Sequence, residues 1–79
     1  MRLDKYLKIS RIIKRRTVAN EACDAGRVLV NGKIARASYD VKVGDRLEIA
    51  LGGRTLAVEV LQVAETVRKD DAAAMYREV

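Results

Sequence analysis

The apolar pattern of this chain changes period at one point, between Gly26 and Arg27, and that change limits the folds open to it. Before Gly26 the spacing is helical: Leu3, Tyr6 and Leu7 stand at i, i+3 and i+4, while Val18 with Ala22 and Ala19 with Cys23 form i, i+4 pairs. After Arg27 it alternates. Val28-Leu29-Val30 runs into Asn31-Gly32, the pair best suited to a type I′ hairpin, whose two central residues both need positive φ. Lys33-Ile34-Ala35 is the expected return strand. Helices gathered before strands, rather than interleaved with them, define an α+β fold: two N-terminal helices packed on a small, mainly antiparallel sheet of four to five strands.

The spacing predicts a first helix over Leu3-Asp4-Lys5-Tyr6-Leu7-Lys8-Ile9, with Asp4 in the first turn where a carboxylate favours the positive helix end. A break follows at Ser10, and the β-branched pair Ile12-Ile13 is expected to be buried. Thr17 is the expected N-cap of a second helix over Val18–Ala25, and Gly26 its left-handed terminator. Cys23 reads as a small buried apolar group. Further strands are expected at Val41-Lys42-Val43, at Arg46–Leu51 with Leu47, Ile49 and Leu51 on one face, and at Arg54–Val63 with Leu56, Val58 and Val60 on one face. Turns at Gly44-Asp45 and Gly52-Gly53 join them, and a short C-terminal helix is expected over Asp70–Arg77. The whole of residues 1–79 is then one domain, with its core motif over about 1–50 and a closing strand and helix over 54–78.

Several functions are disfavoured by what the chain lacks. With no Phe, Trp or Pro, the core must be made of Leu, Ile, Val and Ala. One Cys and no His allow neither an internal disulfide nor a Cys/His zinc site, so no metal or other cofactor is expected. No Ser/His/Asp set can be drawn, and Gly52-Gly53 lies between strands rather than before a helix, which argues against an enzyme. No stretch approaches the ~20 apolar residues that cross a bilayer, and no apolar leader follows the basic N-terminus, so a cytoplasmic protein without membrane contact is expected.

Charge is placed unevenly. Residues 1–36 carry ten basic against three acidic groups, whereas residues 37–79 carry six basic against eight acidic. Seven cations fall within the first sixteen residues, where they repel one another unless a polyanion relieves them. The candidate polyanion contacts are Arg2 and Lys5 on the exposed side of the first helix, Arg11, Lys14, Arg15 and Arg16 at the junction, and Lys33 and Arg36 leaving the hairpin. Arg15 and Arg16 are favoured over Lys8 because guanidinium can grip a phosphate bidentately. Tyr39 and Tyr6 could stack on bases, although the helical spacing of Tyr6 reads as core. Two other readings of the same charge are a basic face that serves solubility alone and an adaptor that docks a protein through a strand edge or the C-terminal helix.

The order of motifs resembles a known family. Arg2-Leu3-Asp4-Lys5-Tyr6-Leu7, Arg16-Thr17, Ala25-Gly26-Arg27-Val28-Leu29-Val30-Asn31-Gly32-Lys33 and Val43-Gly44-Asp45 are similar to the RNA-binding domain of ribosomal protein S-four, the alpha-L motif. Together with the ending Ala72-Ala73-Ala74-Met75-Tyr76, they resemble the stand-alone bacterial RqcP (YabO) group. That resemblance implies ribosome-associated quality control: binding of a stalled large ribosomal subunit carrying peptidyl-tRNA, contacts to large-subunit ribosomal RNA and to that tRNA, and support of RqcH in adding a C-terminal alanine tail. It implies that Arg2, Asp4, Lys5, Arg15 and Arg16 belong to the surface shown to RNA. A monomer is expected off the ribosome. The alternatives within the fold are another ribosome- or tRNA-binding protein, including a heat-shock-type large-subunit recycling factor with its longer basic C-terminal extension, and a domain appended to an RNA-modifying enzyme.

Overall fold

Helix α1 forms over Leu3–Ile9 as the spacing predicts, and it buries Leu3, Tyr6 and Leu7 completely in a computed structural model that describes all of residues 1–79. The Tyr6 hydroxyl donates to the Met75 carbonyl at 2.8 Å, fixing α1 to the far end of the chain. The first two N–H groups of α1 have no partner within the helix and are met from outside. Leu3 N–H donates to the Tyr39 carbonyl at 2.8 Å and Asp4 N–H to the Ala37 carbonyl at 3.2 Å, so the loop after the hairpin runs beside the helix start. After Ser10 the chain reverses through Arg11 at φ 63°, which lets Ile13 enter the core and Ile12 pack against it.

Helix α2 spans Arg16–Asp24 and starts earlier than the sequence suggests. Thr17 is not the N-cap: Arg15 holds that position, without a side-chain cap, and Thr17 lies in the first turn. The start is fixed by tertiary contact, because Arg16 and Asn20, one turn apart, both reach the Asp4 carboxylate. Ala19, Ala22 and Cys23 form the buried face, where their small side chains let the two helices pack closely, while Val18 points outward. Gly26, at φ 77°, ends the helix as expected: its N–H donates to the Cys23 carbonyl and the Arg27 N–H to the Ala22 carbonyl, the paired bonds of a Schellman motif.

Five antiparallel strands follow, β1 (Val28–Val30), β2 (Lys33–Ile34), β3 (Arg46–Leu51), β4 (Arg54–Val60) and β5 (Tyr76–Glu78), in the spatial order β2-β1-β3-β4-β5. Asn31 and Gly32 take φ of 51° and 84°, the two positive values a type I′ turn requires. Val28, Val30, Leu47, Ile49, Val58 and Val60 face inward and join Leu3, Tyr6, Leu7, Ala19 and Cys23 in a single core.

Three sequence expectations are corrected. Val41-Lys42-Val43 forms no strand, because the Asp45 carboxylate accepts the Lys42 N–H and folds this segment into a turn that buries Val41 and exposes Val43. Strand β4 ends at Val60 rather than Val63. The C-terminal segment is a 3-10 helix over Lys69–Met75, and the residues after it become a fifth strand. Three residues per turn place Ala72 and Met75 in line, and both are buried. Pairing of Tyr76 with Val60 then draws the remaining chain into the sheet.

Candidate nucleic-acid interface

The organising group is an acid. Asp4 is only 2% exposed, yet it lies under the most basic part of the surface, so the expectation that it stands among outward-facing contacts is corrected. One carboxylate oxygen accepts Arg2 Nε–H at 3.1 Å and the Lys5 backbone N–H at 2.8 Å. The other accepts Asn20 Nδ2–H at 3.1 Å, Arg16 Nε–H at 3.4 Å and Arg2 Nη2–H at 3.4 Å. Burial by itself would raise the Asp4 pKa. The donors from Arg2, Asn20 and Lys5 and the charge of Arg16 outweigh it and hold the carboxyl at about 2.

The consequence is positional. Arg2 precedes α1 and Arg16 opens α2, yet both guanidinium groups converge on one carboxylate while remaining about half exposed, at 48% and 49%. Each carries five N–H donors, and Asp4 takes two from Arg2 and one from Arg16. Several donors per guanidinium remain aimed at solvent around an open depression lined by Arg2, Asp4, Arg16, Thr17, Asn20 and Glu21. Two guanidinium groups bonded to the same carboxylate are close together and already oriented, an arrangement chemically suited to receiving an anion.

The other expected residues divide into groups. Lys5 is paired with Glu65, whose carboxyl is pulled below its usual range by that hydrogen bond and charge. Lys8, Arg11 and Lys14 surround a second concavity at the opposite end of α1, completed by Ile9, Glu65, Thr66 and Val67. Lys33 and Arg36 flank a third, with Ile34 and Tyr39 in its lining, at the sheet edge. The bond from Ala37 N–H to Asp24 at 3.3 Å fixes the Arg36 loop against the end of α2. Arg15 is exposed at the start of α2, and neither it nor Arg11, Lys14, Lys33 or Arg36 has an ion-pair partner. Tyr6 is core, and the Tyr39 hydroxyl donates to Asp45 at 2.9 Å.

Sequence reasoning missed Asn20 as a member of the site. The signal was its i, i+4 spacing from Arg16, which puts both on one face of α2. Glu65 had no local signal, because sixty residues separate it from Lys5.

A paired-helix layer with a solvent-facing cationic surface, laid on an antiparallel sheet, defines the class of RNA-binding domain that begins this chain: the S4 domain family model matches residues 1–47. The chain is 58% identical over 76 residues to the RQC P-site tRNA stabilizing factor of Streptococcus pneumoniae, covering 96% of this chain and 86% of that one. It is 54% identical to the protein of the same name from Halalkalibacterium halodurans, with the same two coverages. Heat Shock Protein 15 of Vibrio cholerae superposes with a TM-score of 0.94 at 29% identity, covering 100% of this chain and 81% of that one. This chain belongs to the S4-domain family and, within it, to the RQC P-site tRNA stabilizing factors.

Proposed function

We propose that the chain is a non-enzymatic RNA-binding factor of bacterial ribosome-associated quality control. It binds the stalled large ribosomal subunit, holds the peptidyl-site tRNA, contacts large-subunit ribosomal RNA, and supports C-terminal alanine tailing by RqcH. The observation that carries this reading is the buried Asp4 carboxylate, which gathers Arg2, just before α1, and Arg16, at the start of α2, into one cationic pair. Kinship with P-site tRNA stabilizing factors supplies the RNA class.

Phosphate contacts supply affinity in this mechanism and RNA shape supplies selectivity, because A-form helices hide their major-groove base edges from side chains. Arg15 lies beside the Arg2/Arg16 pair in sequence and extends it. Lys33 and Arg36 contribute at the edge of the surface. Binding weakens with salt, with a log-log slope of about −0.7 to −0.9 per phosphate neutralised.

The test is crosslinking and sequencing of RNA bound in cells by the wild-type chain and by an Arg15→Ala, Arg16→Ala double variant. Recovery of tRNA together with large-subunit ribosomal RNA, lost in the variant, is the expected result. Recovery of ribosomal RNA without tRNA would favour a large-subunit recycling role, and recovery of neither would favour a protein adaptor.

A further inference from the structure

Lys5, in the middle of α1, is paired with an acid from the far end of the chain, Glu65. The fold sets this partnership. The Met75 carbonyl accepts the Tyr6 hydroxyl at 2.8 Å, the Leu61 N–H at 2.8 Å and the Gln62 N–H at 3.1 Å, so one oxygen ties α1 to the chain that leads into Glu65. Val63 and Val67, on either side of Glu65, pack against the core. The carboxylate itself is left in solvent, 74% exposed, and an exposed ion pair adds little to folding.

The surroundings of the carboxylate indicate another use. Arg2, Lys5 and Lys8 stand at intervals of three, with Lys5 between the Asp4-anchored pair and the concavity that holds Lys8, Arg11 and Lys14. Glu65 is the single acid lining that concavity, and none of its three cations has an ion-pair partner. A phosphate approaching the centre of the cationic surface therefore meets a fixed negative charge and a lysine already engaged, whereas a phosphate to either side meets open cations. Like charge placed against unwanted partners is a general means of discriminating among them.

We infer that Glu65 is a specificity-determining residue of the RNA-binding surface: by engaging Lys5 and holding a negative charge beside it, Glu65 weakens the hold on arbitrary RNA backbone and leaves tight binding to RNA whose phosphates fall on the cations to either side. This rests on the RNA-binding reading above and deepens it, because selectivity by RNA shape requires a cationic surface that does not accept phosphate everywhere. Removing the carboxylate raises affinity for the wrong RNA, a sign opposite to that of removing a group that contacts RNA.

The experiment titrates the full chain, at several salt concentrations, against two targets: a short RNA duplex of arbitrary sequence and the large ribosomal subunit carrying peptidyl-tRNA. Glu65→Gln is expected to bind the duplex about fivefold more tightly at low salt, and its preference for the subunit over the duplex falls by about the same factor. Its log-log salt slope on the duplex steepens by about 0.7 to 0.9, as Lys5 takes one more phosphate. Adding Lys5→Ala cancels most of the gain. Glu59→Gln removes the same charge from the ion pair with Arg77 on the outer face of the sheet, and it keeps the preference of the wild type. Both substitutions conserve side-chain shape, so each variant melts close to the wild type, which separates altered binding from altered folding. An equal gain for duplex and subunit, an equal gain from Glu59→Gln, or no gain on the duplex overturns the role of Glu65 and leaves the RNA-binding reading standing. A wild-type chain that binds neither target overturns both.

Discussion

Two carboxylates in this protein do the same electrostatic task with different results. Asp4, in the helical layer, and Asp45, at the hairpin side of the sheet, are both held below the usual range despite burial that opposes ionisation, because hydrogen-bond donors surround them. Asp45 collects largely neutral donors: the Asn31 amide at 3.0 Å, the Tyr39 hydroxyl at 2.9 Å and the Lys42 backbone N–H at 3.0 Å. Their hydrogen-bonding capacity is spent on holding the loops together, and the result is a structural knot. Asp4 collects two guanidinium groups whose remaining donors still face solvent. The lesson is that a buried acid under a basic surface need not cancel that surface. It can fix its geometry, and the identity of the partners decides whether the donors are used up inside the fold, as around Asp45, or left over at the surface, as around Asp4.

Replacing Asp4 should break this contrast most severely. Asp4→Asn is expected to lower stability by about 2 kcal/mol, following from a carboxyl held near 2 instead of its ordinary value. The same change releases Arg2 and Arg16 from their common anchor, so RNA affinity should fall by roughly tenfold in a filter-binding titration at fixed salt. Unchanged RNA affinity in a folded Asp4→Asn variant would deny Asp4 its positioning role. At the other carboxylate, Asp45→Ala should cost about 1–2 kcal/mol in thermal or urea unfolding, through three lost hydrogen bonds, yet leave RNA affinity within about twofold. A matching loss of binding would erase the distinction between the two networks.

Acid provides the mildest probe of the same comparison. Both carboxylates have folded pKa values below their unfolded ones, so each contributes stability that is complete above about pH 5 and is lost as pH falls. For Asp4 the loss continues until pH passes through about 2. The melting temperature should therefore be flat from about pH 7 to pH 5 and decline below it, and Asp4→Asn should flatten part of that decline. Cys23 adds nothing to this profile, since burial first, and then the charges of Asp4 and Asp24, push its thiol up to about 11.

Periodicity made both helices, the hairpin and the alternating strands legible, because each is specified by residues close together in the chain. Leu3, Tyr6 and Leu7 declare a helix face, and Asn31-Gly32 declares a turn, wherever the rest of the molecule lies. The location of the basic surface was legible for the same reason, since seven cations crowd the first sixteen residues. Its anatomy was not. The sequence shows a run of positive charge, whereas folding sorts it into a pair anchored on Asp4, a cluster of Lys8, Arg11 and Lys14 around one concavity, a group at the hairpin edge, and a Lys5 paired with Glu65.

The same division runs through the fold. The sequence by itself determined the α+β class, the end of α2 at Gly26 and the inward faces of β3 and β4, each through local conformational preference or a two- or four-residue spacing. Only the tertiary structure decided that Arg16 rather than Val18 opens α2, that residues 41–43 turn instead of pairing, and that the chain after Met75 enters the sheet as β5. For two of these the deciding partner lies far along the chain, Asp4 for Arg16 and Val60 for Tyr76; for residues 41–43 it is nearby, the Asp45 carboxylate that accepts the Lys42 N–H while Asn31 and Tyr39 hold it in place. Short helices and strands have too little intrinsic stability to set their own ends, so the contacts that bury them set those ends instead.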